Sequence, residues 1–287
     1  MPDLCYFMTI CRTNKLSKGQ VVKMKKRNLI LSVLAVMIVF GLTLFAVPLG
    51  VRHLPLDMTA KSCLVEVIGG LLAIAALFIL KKGEVLKLRT DGFKEGMASG
   101  VFFLVMSGLC FFQFIFNGKP VTLPAVDIVL FSINMLFVGI MEEVLFRGIL
   151  QEAFHDFFGC DSYKNVLKGI LCSAVVFGLA HYLNLIAGVS FKAVTIQVIS
   201  VIIMGVLFGA VYYRANRNIW VTIILHALVD AGTFIMSGAL SGVSEADSIG
   251  QYSFGKFVFF PLYIIVTVWI LRKNKIRTEA ISEPKTI

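Results

Sequence analysis

The chain has 287 residues, 58% of them apolar and 15% charged, against about 45–50% and about 25% in an ordinary soluble domain. With 25 Phe and a mean hydropathy of +0.87, that surplus excludes a soluble enzyme, a disordered chain, a disulfide-stapled secreted module and a collagen-like fibre, and leaves an all-α polytopic membrane protein. The net charge of +10 fits Lys and Arg gathered on the cytoplasmic side and at anionic lipid, so no nucleic-acid partner is expected.

A helical crossing needs about 20 mostly apolar residues. That ruler predicts eight spans, at 29–49, 62–80, 96–116, 125–150, 166–187, 193–213, 218–240 and 255–271. The separators are short and carry Gly, Pro or charge, and the runs lack the alternation of membrane strands. Residues 1–28 read as a basic cytoplasmic segment, 29–124 as helices 1–3, 125–240 as a core of helices 4–7, and 241–287 as the last helix with a basic cytoplasmic tail. Met24-Lys25-Lys26-Arg27 opens a run too long for a signal-peptide core of about 7–15 residues. It reads as a retained first helix, with Met24 a candidate start of translation.

Lys and Arg divide 21 to 5 between the two sides of this topology. The positive-inside rule then makes a multi-pass cell-membrane protein with both termini cytoplasmic. Small residues recur at Gly92, Gly96 and Gly100 and at Gly205 and Gly209, spacing that lets helices approach closely inside one bundle. The six cysteines show neither CxxC nor framework spacing.

Charge inside hydrocarbon costs at least about 2.5–3.5 kcal/mol per residue on insertion scales, so each instance needs a reason. The fourth span holds Glu142, Glu143 and Arg147, the fifth Phe177 and His181, the seventh His226 and Asp230. Glu143 and Arg147 share a helix face, as do Phe177 and His181, and His226 and Asp230. Glu142 lies about 100° around from Glu143. One carboxylate can therefore be neutralised by Arg147 while the other remains for chemistry. Each cluster alone could be a packing device; three in one bundle point to a polar site. Glu66, near a span end, is expected to reach the interface, and Glu152, His155 and Asp156 are expected in water at the cytoplasmic exit of the fourth span.

A glutamate and two imidazoles suit hydrolysis of an amide. Glu142 can act as general base with His181 holding the water, and His226 can donate to the oxyanion. The same Glu142, His181 and His226 could hold zinc with one open position, although no HExxH helix is present. No cofactor is favoured, and zinc stays the alternative.

The strings Met141-Glu142-Glu143-Val144-Leu145-Phe146-Arg147-Gly148, Phe177-Gly178-Leu179-Ala180-His181 and Ile224-Leu225-His226-Ala227-Leu228 resemble, in order, the motifs of the CPBP family. That family comprises the CAAX prenyl endopeptidases and the bacteriocin-processing Abi proteins, which are intramembrane proteases. The resemblance covers roughly residues 125–235. It implies that Glu142 and His181 activate water, that Glu143 and Arg147 form an electrostatic pair, and that His226 and position 230 stabilise the oxyanion. Both metal-dependent and metal-free mechanisms have been described for the family, and the metal-free one is preferred. Asp230 stands where the prenyl proteases have Asn, and an ionised carboxylate only accepts hydrogen bonds. Either Asp230 is protonated or, as preferred, it orients and charges His226. The Asp shifts the expected substrate from a prenylated tail toward an Abi-type, bacteriocin-like peptide. Membrane lipid and such a peptide are the expected partners. The alternatives are a non-catalytic immunity or peptide-binding protein and a proton-coupled transporter.

Overall fold

Lipid offers the backbone no hydrogen-bond partners, so long apolar runs satisfy themselves as helices. The computed structural model of the chain describes residues 17–272; the basic segments 1–16 and 273–287 of the predicted termini lie outside them. Helix α1 (Lys18–Gly41) starts at a capping box formed by Ser17 and Gln20. A π-helical turn (Leu42–Ala46) and a last α turn (Val47–Val51) continue it. Next come α2 (Met58–Ile79), capped by Asp57, and the pair α3 (Phe93–Ser99) and α4 (Val101–Phe116). Helix α5 (Ala125–Glu143) runs through a π-helical segment (Val144–Gln151) into α6 (Glu152–Phe158).

The remaining helices are α7 (Tyr163–Ala180), ending in a 3₁₀ turn (His181–Leu185), then α8 (Phe191–Arg214) and α9 (Ile219–Ser237). Ser162, Ser190 and Asn218 cap their first turns. A short α10 (Glu245–Gly250) and a 3₁₀ segment (Phe254–Phe259) lead into α11 (Phe260–Ile270).

The chain is an all-helical, multi-pass membrane protein. Among the described residues six helices are long and apolar enough to cross a bilayer. The predicted third span is the α3–α4 pair, bent by 56°, and the predicted eighth is the shorter apolar stretch Phe254–Ile270. Helix α5 is central, packed between α2 and α9, while α7 and α11 pack on α8 and α4 on α9. Residues 139–153 are buried without interruption, as befits a helix enclosed on every side. Ile79, Ile115 and Val126 are largely exposed.

The small residues serve this internal packing. A side chain at Gly92 would run into the Ala215 carbonyl, one at Gly100 into Leu225, and one at Gly209 would press on Gln151. Gly92 also has φ +70, a left-handed conformation that glycine adopts at no steric cost.

The fourth span overruns its predicted end at 150, because its polar exit is covered rather than wet. Glu152 and His155 are 7% and 1% exposed. Arg217 pairs with Glu152 at 3.4 Å, and Lys82 with Asp156 at 3.6 Å. The expectation of water at this end was wrong because loops distant in sequence bring the cations.

Candidate active site

The polar cluster forms where α5 becomes π-helical, a widening often found at functional sites. Glu142 and Glu143 end the regular helix, and Arg147 sits one π turn on. Arg147 Nη1 lies 2.8 Å from Glu143 Oε1. Its Nη2 donates to the Gly205 carbonyl at 3.4 Å, and its guanidinium rests on the rings of Phe177 at 4.5 Å and Phe208 at 5.3 Å. The aromatic faces and the carboxylate together compensate a cation that is 1% exposed.

His226 is reached from α9 and lies stacked on Phe208, ring centroids 4.9 Å apart. Its Nδ1 is 2.6 Å from Glu143 Oε1. Its Nε2 is 3.2 Å from Glu142 Oε2 and 3.3 Å from Asp230 Oδ2. With carboxylate oxygens at both ring nitrogens, an imidazolium carrying N–H on each side suits all three carboxylates at once. Glu143 therefore serves both Arg147 and His226, where the sequence suggested Arg147 alone. Asp230 meets Nε2, the nitrogen that also faces Glu142.

His181 stands at the end of α7. Its Nδ1 is 3.0 Å from the Phe177 carbonyl, which only accepts, so Nδ1 donates and Nε2 is turned toward Glu142. The Nε2 to Glu142 Oε1 separation is 3.9 Å, too long for a direct hydrogen bond and suited to a bridging water. All six residues singled out in the sequence thus meet in one cluster: Glu142, Glu143, Arg147, His181, His226 and Asp230.

Glu142, His181, His226 and Asp230 line a cavity of about 850 Å³. No residue of segments 81–95, 151–168 or 214–217 lines it, whereas Glu245, Tyr252 and Lys256 do. The cavity therefore belongs to the half of the bundle near segment 241–256. Among the described residues no group of three or more His, Cys, Asp or Glu side chains is arranged to hold a metal ion. The residues that would hold zinc are Glu142, His181 and His226, and His226 Nε2 would then give up its contacts with Glu142 and Asp230.

Sequence reasoning missed two carboxylates on the cavity wall. Glu66 does not reach the interface, because its Oε2 is buried and the residue faces the cavity. Its position within a predicted span was the available signal. Glu245 lies on α10 and accepts a hydrogen bond from Asn134 Nδ2 at 2.7 Å, and nothing in the sequence links those two positions.

With this geometry in place, the comparison with known families is specific. Residues 124–232 match the family model described as Rce1-like, type II CAAX prenyl endopeptidase. The match runs from α5 through most of α9 and contains all six clustered residues, so the segment holding the site is similar to a protease family. No curated protein and no solved structure matches the chain.

Proposed function

We propose that the protein is an intramembrane endopeptidase that uses Glu142 and His181 to activate water, without a metal. The observation that carries this reading is the 3.9 Å opening between Glu142 Oε1 and His181 Nε2. It lies on the cavity wall beside an N–H-bearing His226. The water's oxygen attacks the scissile carbonyl carbon while its proton passes to Glu142. His226 Nε2–H faces the same space and donates to the oxyanion. Glu142 then returns the proton to the departing amine, leaving one peptide with a new carboxylate and the other with a new amine. Glu143 fixes His226 through Nδ1, and Arg147 balances Glu143's charge. Asp230 steadies the imidazolium from the cavity side.

The same reading places both termini in the cytoplasm and the protein in the cell membrane. The covered, charged end of the bundle carries Lys82, Arg214 and Arg217, and positive residues favour the cytoplasmic side. The cavity then belongs to the opposite, extracytoplasmic half. That suits a membrane-associated, bacteriocin-like peptide better than a prenylated cytoplasmic tail. Reporter fusions at the C-terminus and within 241–256 are expected on opposite sides of the membrane; a shared side would remove this orientation.

The function itself is tested by mass spectrometry of membrane peptides from cells carrying the wild type or Glu142→Gln. Fragments present only with the wild type are expected. Identical peptide profiles would refute the protease.

A further inference from the structure

The catalytic cluster uses one wall of the cavity, and a second group of acceptors stands on another. Glu66 from α2 and Glu245 from α10 both line the cavity, and each feels the other's charge. Asn134 from α5, 4% exposed, donates its Nδ2 to Glu245 at 2.7 Å. Its Oδ1 and the Oε2 of Glu66 are buried without a hydrogen-bond partner in the protein. What these two orphaned oxygens lack is a donor. Lys256, the lysine lining the cavity, does not serve: it rests over the Tyr252 ring, and the carboxylate that acts on it is Asp230. Counting Glu142 and Asp230, four acidic side chains line the cavity, with Lys256, His181 and His226 the basic ones. Buried charge is tolerated when it is paired.

We propose that Glu66 and Glu245, the latter held by Asn134, form a subsite that binds a cationic nitrogen of the substrate peptide. Such a nitrogen supplies several N–H donors and a positive charge to the two carboxyl groups. Glu66 and Glu245 lie outside the matched segment 124–232, so this preference belongs to the parts of the chain that the family match does not describe. The inference deepens the protease reading by naming the substrate class, and it rests on that reading only for the word substrate.

Binding separates the two. The full-length Glu142→Gln protein in lipid nanodiscs is titrated with short, acetylated, leucine-rich peptides in which one lysine is scanned along the chain. Each is paired with its norleucine analogue and with an unacetylated norleucine version. At one position the lysine peptide should bind at least roughly tenfold tighter than norleucine, the worth of one charge-assisted hydrogen bond. If instead only the unacetylated peptide gains, the cation is the α-ammonium. Either preference should shrink toward unity in Glu66→Gln combined with Glu245→Gln, and a glutamate peptide should bind wild-type protein more weakly than norleucine. Equal binding of all peptides would overturn the subsite. A preference without any cleavage by wild-type protein would leave the subsite standing and remove the protease.

Discussion

Glu142 and Glu143, neighbours in sequence, hold opposite nitrogens of one imidazole: Glu143 meets Nδ1 of His226 at 2.6 Å and Glu142 meets Nε2 at 3.2 Å. Successive helix positions point about 100° apart, and the imidazole spans that angle by inserting between them from α9. The difference in setting divides their work. Glu143 is 0% exposed and held by Arg147, while Glu142, 8% exposed, borders the cavity.

Metal removal is the first test of the proposed chemistry. Protein purified in detergent and treated with a strong chelator should keep its cleavage activity, as the proposed direct activation of water by Glu142 and His181 requires. Activity lost on chelation and restored by zinc would make Glu142, His181 and His226 ligands instead.

The glycine rows give a stability prediction that owes nothing to catalysis. Gly100→Ala would drive a methyl into Leu225, and overpacking of this kind costs about 1–3 kcal/mol. Gly92→Ala adds a left-handed backbone penalty of about 1–2 kcal/mol to its collision with the Ala215 carbonyl. Gly108→Ala meets open space and should be neutral. Thermal shift in detergent orders the three, and a Gly92→Ala protein as stable as Gly108→Ala would contradict the packing.

These contrasts show what the sequence could and could not carry. The spans were legible because lipid imposes a length and a hydropathy, and the six-residue cluster because charge inside a span is conspicuous and helix spacing fixes its faces. The overrun of α5 into α6 was not. Gln151, Glu152 and His155 look like an exit into water until Arg217 and Gly209 close over them, with Gln151 donating to the Gly209 carbonyl at 3.1 Å. The bend between α3 and α4 was hidden for a related reason. No proline marks it, and Gly100 is set by close contact with Leu225 rather than by a local signal. Glu245 reads as a loop acid until α10 folds it against Asn134.

Glu245 makes stability depend on pH. Burial pushes its carboxyl above the ordinary range, the Asn134 hydrogen bond opposes that, and the charges of Asp230 and Glu142 add to it, with Glu66 also facing it. The folded protein therefore holds this proton more tightly than the unfolded chain. Below the ordinary carboxylate range the contribution is complete, and it is lost as pH rises through the raised value. Melting temperature of the free protein should fall over that interval, and Glu245→Gln should flatten the fall. A variant whose profile follows the wild type would show that Glu245 is not the titrating group. A bound lysine peptide should reverse the slope, because it favours the ionised form.

The two glutamates give the sharpest contrast. Glu142→Gln keeps shape and can still accept a hydrogen bond from His226, but it cannot take the proton of water. Cleavage should fall by at least about 10²-fold, the low end of what general base catalysis contributes, with melting temperature nearly unchanged. Glu143→Gln removes the negative charge that faces both Arg147 and His226. Breaking one partner of a buried pair costs about 3–5 kcal/mol, so folded yield should fall together with activity. Adding Arg147→Met removes the stranded guanidinium, and its apolar side chain can lie between Phe177 and Phe208 where the guanidinium rested. The double variant should recover part of the yield, yet stay poorly active because His226 has lost its anchor at Nδ1. Thermal shift and cleavage of one membrane peptide, measured side by side, read both effects. A Glu142→Gln protein that unfolds, beside a Glu143→Gln protein that is stable and inert, would exchange the roles assigned to the pair.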